Sequence, residues 1–300
     1  MLPTFFILNP HSGRGNNEKL IPLIQSHFTS SKIQFDIHTT TCPDDARKIA
    51  IEVRRNYPIV VAGGGDGTVN EVVNGIAGSD CILGVLPLGS GNDFAKVLSY
   101  PKRLSDCLQL LARQKVKSID LGSIEAITNG WEKVHKHFIN FVGVGLDAQV
   151  AYEAGKIHWP HGLPKYAIAA FKVLFRYQPE LSKVTSAEFE SEGNHVLISI
   201  GNGKSSGGGF YLTPDALLDD GLLDVCMAKN LSTSEVLKIF PYVLKGSHTK
   251  FEKVSIKRTN KLLIKSDSNL PVHVDGEILG LNCREIHVEI LSRAIRVLVP

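Results

Sequence analysis

An apolar run passes directly into a glycine-rich one at Ile59-Val60-Val61-Ala62-Gly63-Gly64-Gly65-Asp66-Gly67-Thr68. The first four residues predict a short buried strand, and the glycines predict a tight turn into the helix that contains Asn70 and Glu71. Because glycine lets the backbone approach closely, N–H groups at such a helix N-terminus can face a phosphate. The segment therefore predicts both a parallel-sheet unit and an anion site.

Two more strands are predicted before this segment, at Thr4–Leu8 and Ile33–Thr39, and one after it, at Ile82–Pro87. Helical periodicity lies between them and predicts helices at Asn17–Phe28, Asp44–Asn56, Gly67–Ala77 and Asn92–Leu98. Alternating strands and helices are typical of a parallel sheet covered by helices. We therefore predict a parallel α/β domain over residues 1–123.

Runs that alternate apolar and polar residues dominate after about Asp120 and predict an antiparallel, β-rich domain over residues 124–291. Three helices are expected within it, near Leu146–Ile157, Pro164–Tyr177 and Thr233–Lys245. The closing apolar run Ala294–Val299 could belong to either domain. Residues 292–300 could thus complete the first one.

A second glycine-rich turn, Gly89-Ser90-Gly91-Asn92-Asp93, follows the strand at Ile82–Pro87. Parallel strands present their carboxyl ends at one sheet edge, where open α/β sheets bind ligands, so both turns and the loop Asn9–Gly15 are expected there. A carboxylate such as Asp66 is unfavourable beside a polyanion unless a cation, usually Mg²⁺, lies between them. These turns predict a nucleotide site with Mg²⁺; tight turns without a ligand are the alternative.

The composition argues against a nucleic-acid-binding protein, a zinc protein and a membrane-spanning protein. The 300 residues carry a formal charge of +3, which is too small to indicate a nucleic-acid partner. The five cysteines are widely spaced and form no CxxC pair, which favours a reduced, cytoplasmic protein without a zinc site. No run approaches the about 20 apolar residues that a membrane span requires, so any membrane contact is expected to be peripheral.

Two segments, GGGDGTVNEVVNGI at residues 63–76 and GSGNDFAK at residues 89–96, closely resemble the diacylglycerol kinase catalytic-domain family, in particular soluble bacterial lipid kinases of the YegS type. GGDGT alone is only moderately specific, because NAD kinases and phosphofructokinases carry close variants. The resemblance extends in order along nearly the whole chain, through the segments Ile119–Gly122, Asn140–Asp147, Gly207–Gly209, Pro214–Val225 and Asp275–Glu277.

This resemblance implies an N-terminal α/β domain like that of NAD kinases and diacylglycerol kinases, followed by a C-terminal β-sandwich domain. It implies an ATP- and Mg²⁺-dependent kinase that phosphorylates a lipid hydroxyl, with diacylglycerol as the first candidate acceptor and phosphatidic acid as its product. The implied partners are a lipid substrate and the membrane surface, and a homodimer is left open. An NAD kinase-like phosphotransferase and a non-catalytic nucleotide or lipid sensor are the alternatives.

The resemblance also assigns site residues. Nucleotide contacts are implied for Gly64, Gly65, Asp66, Gly67, Thr68, Val69, Asn70 and Ser90. A threonine after the second strand is a further contact, for which Thr40 is taken and Thr39 and Thr41 compete, and Asn9 joins the set through its loop. Asp66, Asp93 and Asp120 are implied to surround the catalytic magnesium, and Glu277 to accept the proton of the alcohol. The alternative for Glu277 is a solvated residue after an Asp275-Gly276 hairpin turn.

A structural Mg²⁺ site is implied at Asp220, with the backbone carbonyls of Leu217 and Leu222 as further ligands. Oxygen-only ligation suits a hard cation. Without the resemblance, Asp219-Asp220-Gly221 would be interpreted as a hairpin turn.

The sequence says less about which residues bind the lipid substrate. The predicted helix Pro164–Tyr177 has an apolar face beside three cations, Lys165, Lys172 and Arg176, and could line an acyl pocket, touch anionic headgroups or simply pack in the core. The segment Gly143–Ala148 fits a dinucleotide fingerprint, yet no second strand ending in an acid follows it. We therefore assign no nucleotide to that segment.

Overall fold

The computed structural model describes residues 1–13, 15–157, 159–160 and 162–300. It has a mixed α/β fold, as predicted. The chain divides into two compact units, residues 1–120 with 292–300, and residues 121–291. Within the described residues, no helix combines the length and the apolar character needed to cross a membrane.

The strands follow one another as β1 (Thr4–Leu8), β2 (Phe35–Thr39), β3 (Ile59–Gly64), β4 (Ile82–Pro87), β5 (Val116–Thr128), β6 (Lys133–Phe138), β7 (Phe141–Gly145), β8 (Leu181–Ser186), β9 (Glu190–Gly201), β10 (Leu223–Lys229), β11 (Val254–Thr259), β12 (Lys261–Val274) and β13 (Glu277–Leu298). The helices are α1 (Ile21–Ser30), α2 (Asp45–Val53), α3 (Asp66–Ile76), α4 (Asp93–Val97), α5 (Leu104–Arg113), α6 (Leu146–Gly155), α7 (Leu163–Leu174) and α8 (Thr233–Val243). Short 3-10 turns lie at Asn17–Leu20 and His248–Lys250.

The first unit contains a parallel sheet in the order β2-β1-β3-β4. The end of β13 adds to it, pairing in parallel with β4 through Arg296 and Val297. Strand β3 is buried along its whole length, as expected for a central parallel strand covered on both faces. Helix α3 buries Val69, Val72, Val73 and Ile76. This packing fixes the helix directly behind the glycine-rich turn that precedes it.

The second unit is antiparallel, with strand order β11-β10-β9-β7-β12-β13. Strands β9 and β12 each pair with β7 near one end and with β8 near the other. The buried apolar cluster between these strands includes Val142, Ile198, Val225, Leu262 and Ile286. The core of this unit is thus built from the inward-facing side chains of antiparallel strands.

Several predicted elements are wrong in extent. Alternation of apolar and polar residues predicts two strands at Lys261–Ser266 and Val272–Asp275. In the structure they form the single strand β12, whose pairing register shifts between Lys265 and Leu270. The prediction did not identify β10, because this strand is buried at nearly every position and shows no alternation. The predicted helix Asn17–Phe28 begins as a 3-10 turn and becomes α-helical at Ile21.

Candidate active site

Three turns converge at the carboxyl edge of the parallel sheet in the first unit. The backbone N–H of Asn9, after β1, donates to the carbonyl of Gly63 at 2.8 Å. The N–H groups of Leu88 and Gly89, after β4, donate to the carbonyl of Gly64 at 2.8 and 3.1 Å. The turns after β1, β3 and β4 are therefore joined by main-chain hydrogen bonds, as the strand pattern predicts.

Helix α3 begins at Asp66 within this edge, after Gly65 in an extended conformation. Asn9 reaches across the edge and donates from Nδ2 to Oγ1 of Thr68 at 3.2 Å. The first-turn N–H groups of a helix have no acceptor inside the helix, and the helix dipole makes this end attractive to anions. Val69 and Asn70 have buried side chains, so they support the turn from behind.

Two of the predicted acids face the same point in the first unit. Oδ1 of Asp66 accepts from the backbone N–H of Phe94 at 3.2 Å, which ties α3 to the start of α4. A Cβ built on Gly91 would lie 2.8 Å from Oδ2 of Asp66 and 3.8 Å from Oδ2 of Asp93. Asp93 is buried, and Lys96 lies 3.3 Å from its Oδ1. The glycine leaves the space into which both carboxylates project.

Asp120 has a different environment. It is completely buried, and its Oδ1 accepts from the backbone N–H of Arg293 at 2.7 Å. Arg293 has a positive φ of 52°, so this bond supports a backbone conformation that side chains disfavour. Among the described residues, no group of three or more His, Cys, Asp or Glu side chains is arranged to hold a metal ion. The role of Asp120 toward magnesium stays a prediction.

The remaining predicted nucleotide contacts lie at the same edge. Thr40 follows β2, is buried, and donates its N–H to the carbonyl of Leu8 at 2.8 Å. The neighbouring Thr41 gives its N–H and its hydroxyl to Oδ2 of Asp45, at 2.7 and 3.1 Å, and so serves the start of α2. Thr40 is the stronger candidate of the two. Ser90 is exposed between two glycines.

The loop after β1 is an ordered structure rather than a bare connection. Nδ2 of Asn17 donates to the carbonyls of Asn9 and Ser12, at 3.0 and 3.1 Å, and lies 2.8 Å from Oγ of Ser12. The predicted nucleotide-facing loop includes Arg14, which lies outside the described residues. Asn17 is a residue that sequence reasoning missed, because an asparagine at the start of a helical pattern gives no sign of which loop it closes.

In the second unit, Asp275 and Gly276 form the two-residue turn of the hairpin between β12 and β13, with φ angles of 48° and 88°. The hairpin turn that the sequence offered as an alternative at Asp275-Gly276 is therefore present. The Asp275 carboxylate accepts from three consecutive backbone N–H groups, those of Ile139, Asn140 and Phe141, at 3.0, 3.1 and 2.7 Å. This acid fixes the hairpin to the segment that precedes β7.

Glu277, the next acid, is not simply solvated. Its Oε2 lies 2.6 Å from Nζ of Lys136 on β6, and the side chains of Lys136 and Glu277 are 24% and 40% exposed. The pair is thus accessible but held in one geometry. Sequence reasoning missed Lys136, although alternation along β6 places it on the opposite face from His135 and His137, which contact each other.

The predicted structural metal site has an oxygen-rich environment. Oδ1 of Asp220 accepts from the N–H of Leu222 at 3.1 Å, and Oδ2 lies 3.7 Å from Arg258. Arg258 also lies 3.2 Å from Oδ1 of Asp224, whose Oδ2 is buried without a hydrogen bond to the described residues. Burial raises the pKa of the Asp224 carboxyl, although Arg258 opposes the shift. Two carboxylates share one guanidinium, so a hard cation fits the donor set.

Both units match known family models. The model of the diacylglycerol kinase catalytic domain matches residues 3–124, and that of the YegS C-terminal NAD kinase beta sandwich-like domain matches residues 140–299. The chain belongs to the diacylglycerol kinase family. A protein named diacylglycerol kinase from Bacillus subtilis (strain 168) is 29% identical over 285 residues, which cover 92% of this chain and 89% of that protein.

Solved structures share the fold of this diacylglycerol kinase family member. The crystal structure of a diacylglycerol kinase from Bacillus anthracis str. Sterne has a TM-score of 0.73 at 21% identity and covers 99% of this chain and 97% of that chain. Yeast NADH kinase complexed with NADH has a TM-score of 0.58 at 13% identity, over 100% of this chain and 84% of that chain. The expected likeness to both kinase folds is confirmed.

The second unit of this family member also contains an apolar cavity of about 170 Å³. Its walls come chiefly from α6, α7, α8 and the adjoining strands. Tyr166, Ala170, Phe171 and Leu174 of α7 line it, so the apolar face predicted on this helix borders a cavity.

Proposed function

We propose that this protein is an ATP- and Mg²⁺-dependent lipid kinase that transfers the γ-phosphoryl group to a lipid hydroxyl, with diacylglycerol as the first acceptor to test. The observation that carries the proposal is the convergence of Asp66, Asp93 and the N-terminus of α3 on one point of the sheet edge. Donors and acids together at such an edge suit a bound triphosphate with its cation.

In this proposal the first unit binds the nucleotide. Backbone N–H groups of residues 65–68 and the hydroxyl of Thr68 donate to phosphate oxygens, and Asn9 orients that hydroxyl through the bond at 3.2 Å. Asp66 and Asp93 would hold Mg²⁺, with Asp120 assigned to the same network by resemblance. When bound, Mg²⁺ neutralises charge that develops on the transferred phosphoryl group.

Glu277 is proposed as the proton acceptor for the attacking alcohol. A carboxylate that removes this proton makes the lipid oxygen a better nucleophile as the bond to phosphorus forms. The contact with Lys136 at 2.6 Å supports the role because it holds the carboxylate in one orientation. Asp275 positions the same hairpin through its three backbone hydrogen bonds.

A second divalent cation is proposed at Asp220, with the carbonyls of Leu217 and Leu222 as ligands. The paired acids Asp220 and Asp224 support it, since a single guanidinium compensates both of them. Such an ion would stabilise the loop before β10 and take no part in phosphoryl transfer.

Peripheral membrane contact through α7 is part of the proposal, with the protein acting from the cytoplasm. Phe171 and Phe175 are each 60% exposed and pack edge to face, while Ile168 is 41% exposed. The cations Lys165, Lys172 and Arg176 lie on the same helix or directly after it. Exposed aromatic rings beside cations are typical of surfaces that contact anionic membranes.

The test uses purified protein, radiolabelled ATP, Mg²⁺ and detergent-dispersed lipid alcohols, followed by lipid extraction. Label in phosphatidic acid would identify diacylglycerol as an acceptor. A panel of phosphatidylglycerol, sphingoid bases and undecaprenyl-like alcohols covers the other acceptors. No labelled lipid from any of them would count against the proposal.

Phosphorylation of NAD is the second candidate, and the likeness to yeast NADH kinase complexed with NADH favours it. NADP formation with the same protein and ATP separates the two. The DGE hairpin and the PDALLDDG segment at residues 214–221 favour the lipid kinase.

A further inference from the structure

A polar cluster lies in the wall of the apolar cavity of the second unit. Asp147, at the start of α6, and His273, on β12, both line the cavity. Oδ2 of Asp147 accepts from Oγ of Ser199 at 3.0 Å and lies 3.4 Å from Nε2 of His273. A carboxylate in such an apolar wall requires hydrogen bonds to offset its desolvation.

The orientation of the imidazole follows from its other nitrogen. The backbone N–H of Gly276 donates to Nδ1 of His273 at 3.2 Å. Nδ1 therefore carries a lone pair, and a neutral ring has its proton on Nε2, the nitrogen that faces Asp147. The contact of 3.4 Å is not a hydrogen bond, so Oδ2 of Asp147 accepts from Ser199, while Nε2 of His273 is buried without a hydrogen bond to the described residues. A carboxylate has about four acceptor positions, so it can still accept from a ligand in the cavity.

The main chain leaves room for this cluster. A Cβ at Gly143 on β7 would lie 2.2 Å from Nε2 of His273 and 2.5 Å from Oδ2 of Asp147. Any larger residue would displace both groups. The side chain of Asp147 is 19% exposed, while that of His273 is 1% exposed. The carboxylate is therefore the member of the pair that a molecule in the cavity can reach.

The cluster is also connected to the hairpin that carries Glu277. Gly276 lines the cavity, binds His273, and directly precedes Glu277 in the chain. A lipid whose chain occupies the cavity would have its polar end beside this turn. The two acids would then meet different groups of one headgroup.

We propose that Asp147 accepts a hydrogen bond from a second donor group, a hydroxyl or an ammonium, on an acceptor lipid whose chain enters the cavity. The inference rests on the proposed function, in which Glu277 takes the one proton of the reacting hydroxyl. Asp147 then needs another donor. Diacylglycerol offers none beyond its single hydroxyl, because its ester oxygens only accept.

Monoacylglycerols and long-chain amino alcohols meet this requirement, since each carries an apolar chain and two donor groups.

The test compares binding of 1-monooleoylglycerol and ethylene glycol monooleate to the full chain without nucleotide, below the aggregation concentration of each lipid. The two ligands share their chain, their ester and one hydroxyl, and differ in the second donor. A hydrogen bond to a charged group predicts at least about tenfold tighter binding of the monoacylglycerol. Asp147→Asn presents an amide in place of the carboxylate and should bring the ratio of affinities close to one.

Two further variants distinguish binding of the lipid chain from binding of the headgroup. Ala170→Phe fills the cavity and should weaken both lipids alike. Asp267→Asn removes an exposed carboxylate of β12 and should leave the ratio unchanged.

Equal affinity of the wild-type protein for the two lipids would overturn the inference, and so would an unchanged ratio in a folded Asp147→Asn variant. The comparison of the two ligands on the wild-type protein tests the inference even if the Asp147→Asn variant fails to fold. Because binding is measured without ATP, a protein without kinase activity can still give the predicted ratio. Loss of the proposed function and loss of this inference are thus distinguished.

Discussion

Glu277 and Lys136 form an ion pair of 2.6 Å in the second unit, two residues from an acid that has a different role. Asp275 binds three backbone N–H groups and has the position of a structural anchor, while Glu277 projects toward a cation from the first residue of β13. The DGE sequence therefore separates into a residue that holds the hairpin and a residue proposed to act on the substrate.

The first prediction concerns Glu277. Glu277→Gln keeps the shape and the contact with Lys136 but removes the proton acceptor, so kcat should fall by about 10² to 10⁴-fold with little change in the unfolding midpoint. The exposed Glu252→Gln is the matched control and should keep full turnover. Wild-type turnover by Glu277→Gln would remove this residue from the mechanism.

The second prediction concerns Asp275. Asp275→Ala leaves three N–H groups without their acceptor, and each buried donor left unpaired costs about 1 to 3 kcal/mol. The free energy of unfolding, measured in urea, should fall by at least about 3 kcal/mol. A variant as stable as the wild-type protein would show that water replaces these bonds without cost.

Third, Asp66→Asn and Asp93→Asn should each reduce turnover by orders of magnitude and raise the Mg²⁺ concentration needed for half-maximal activity, because a neutral amide binds a hard cation poorly. Secondary structure by circular dichroism should be retained. Asp80→Asn, at an exposed aspartate before β4, is the control. Unchanged magnesium dependence in both site variants would contradict the assignment.

A fourth prediction concerns acid stability. His195 is buried, with Ser182 Oγ 2.9 Å from its Nδ1 and Ser191 Oγ 3.1 Å from its Nε2, and burial lowers its pKa to about 4. Since the unfolded chain binds this proton near pH 6.5, the stability that the neutral ring provides is complete above that pH and is lost as the pH falls toward 4.

His195→Gln removes this titration, so its unfolding free energy should fall less between pH 7 and pH 4, by roughly 2 kcal/mol. Urea unfolding at each pH measures the difference. If the unfolding free energies of the variant and the wild-type protein fell equally with pH, the prediction would be wrong.

Membrane contact gives the fifth prediction. Phe171→Ser and Phe175→Ser remove exposed rings from α7 and should lower the fraction of protein that sediments with vesicles rich in phosphatidylglycerol. Trp131→Ser is the control, because Trp131 is 85% exposed in the loop after β5. Equal losses for all three variants would mean that exposed aromatic residues bind vesicles without regard to position.

Sequence reasoning predicted much of the first unit. The strands Thr4–Leu8 and Ile82–Pro87 have the predicted bounds, and the helix after the glycine-rich turn begins one residue before its predicted start at Gly67. Local signals suffice here because each strand is continuously apolar and each turn is marked by glycines.

The second unit was predicted less well because its strands pair over long distances. Nothing local to Lys136 indicates that it meets Glu277, since they are 141 positions apart in the chain. The segment Gly143–Ala148 resembles a dinucleotide motif in sequence, whereas in the structure its Gly143 and Asp147 belong to the polar cluster of the cavity. A glycine that makes space for side chains from other strands has no local signature.

A single reaction that contains wild-type protein, Mg²⁺, radiolabelled ATP, a dispersed lipid alcohol and NAD distinguishes a lipid kinase from an NAD kinase. We expect label in the organic extract and no NADP, and parallel reactions with Asp66→Asn or Glu277→Gln should give at least about 10²-fold less labelled lipid. Label in NADP with none in any lipid would contradict the lipid-kinase proposal.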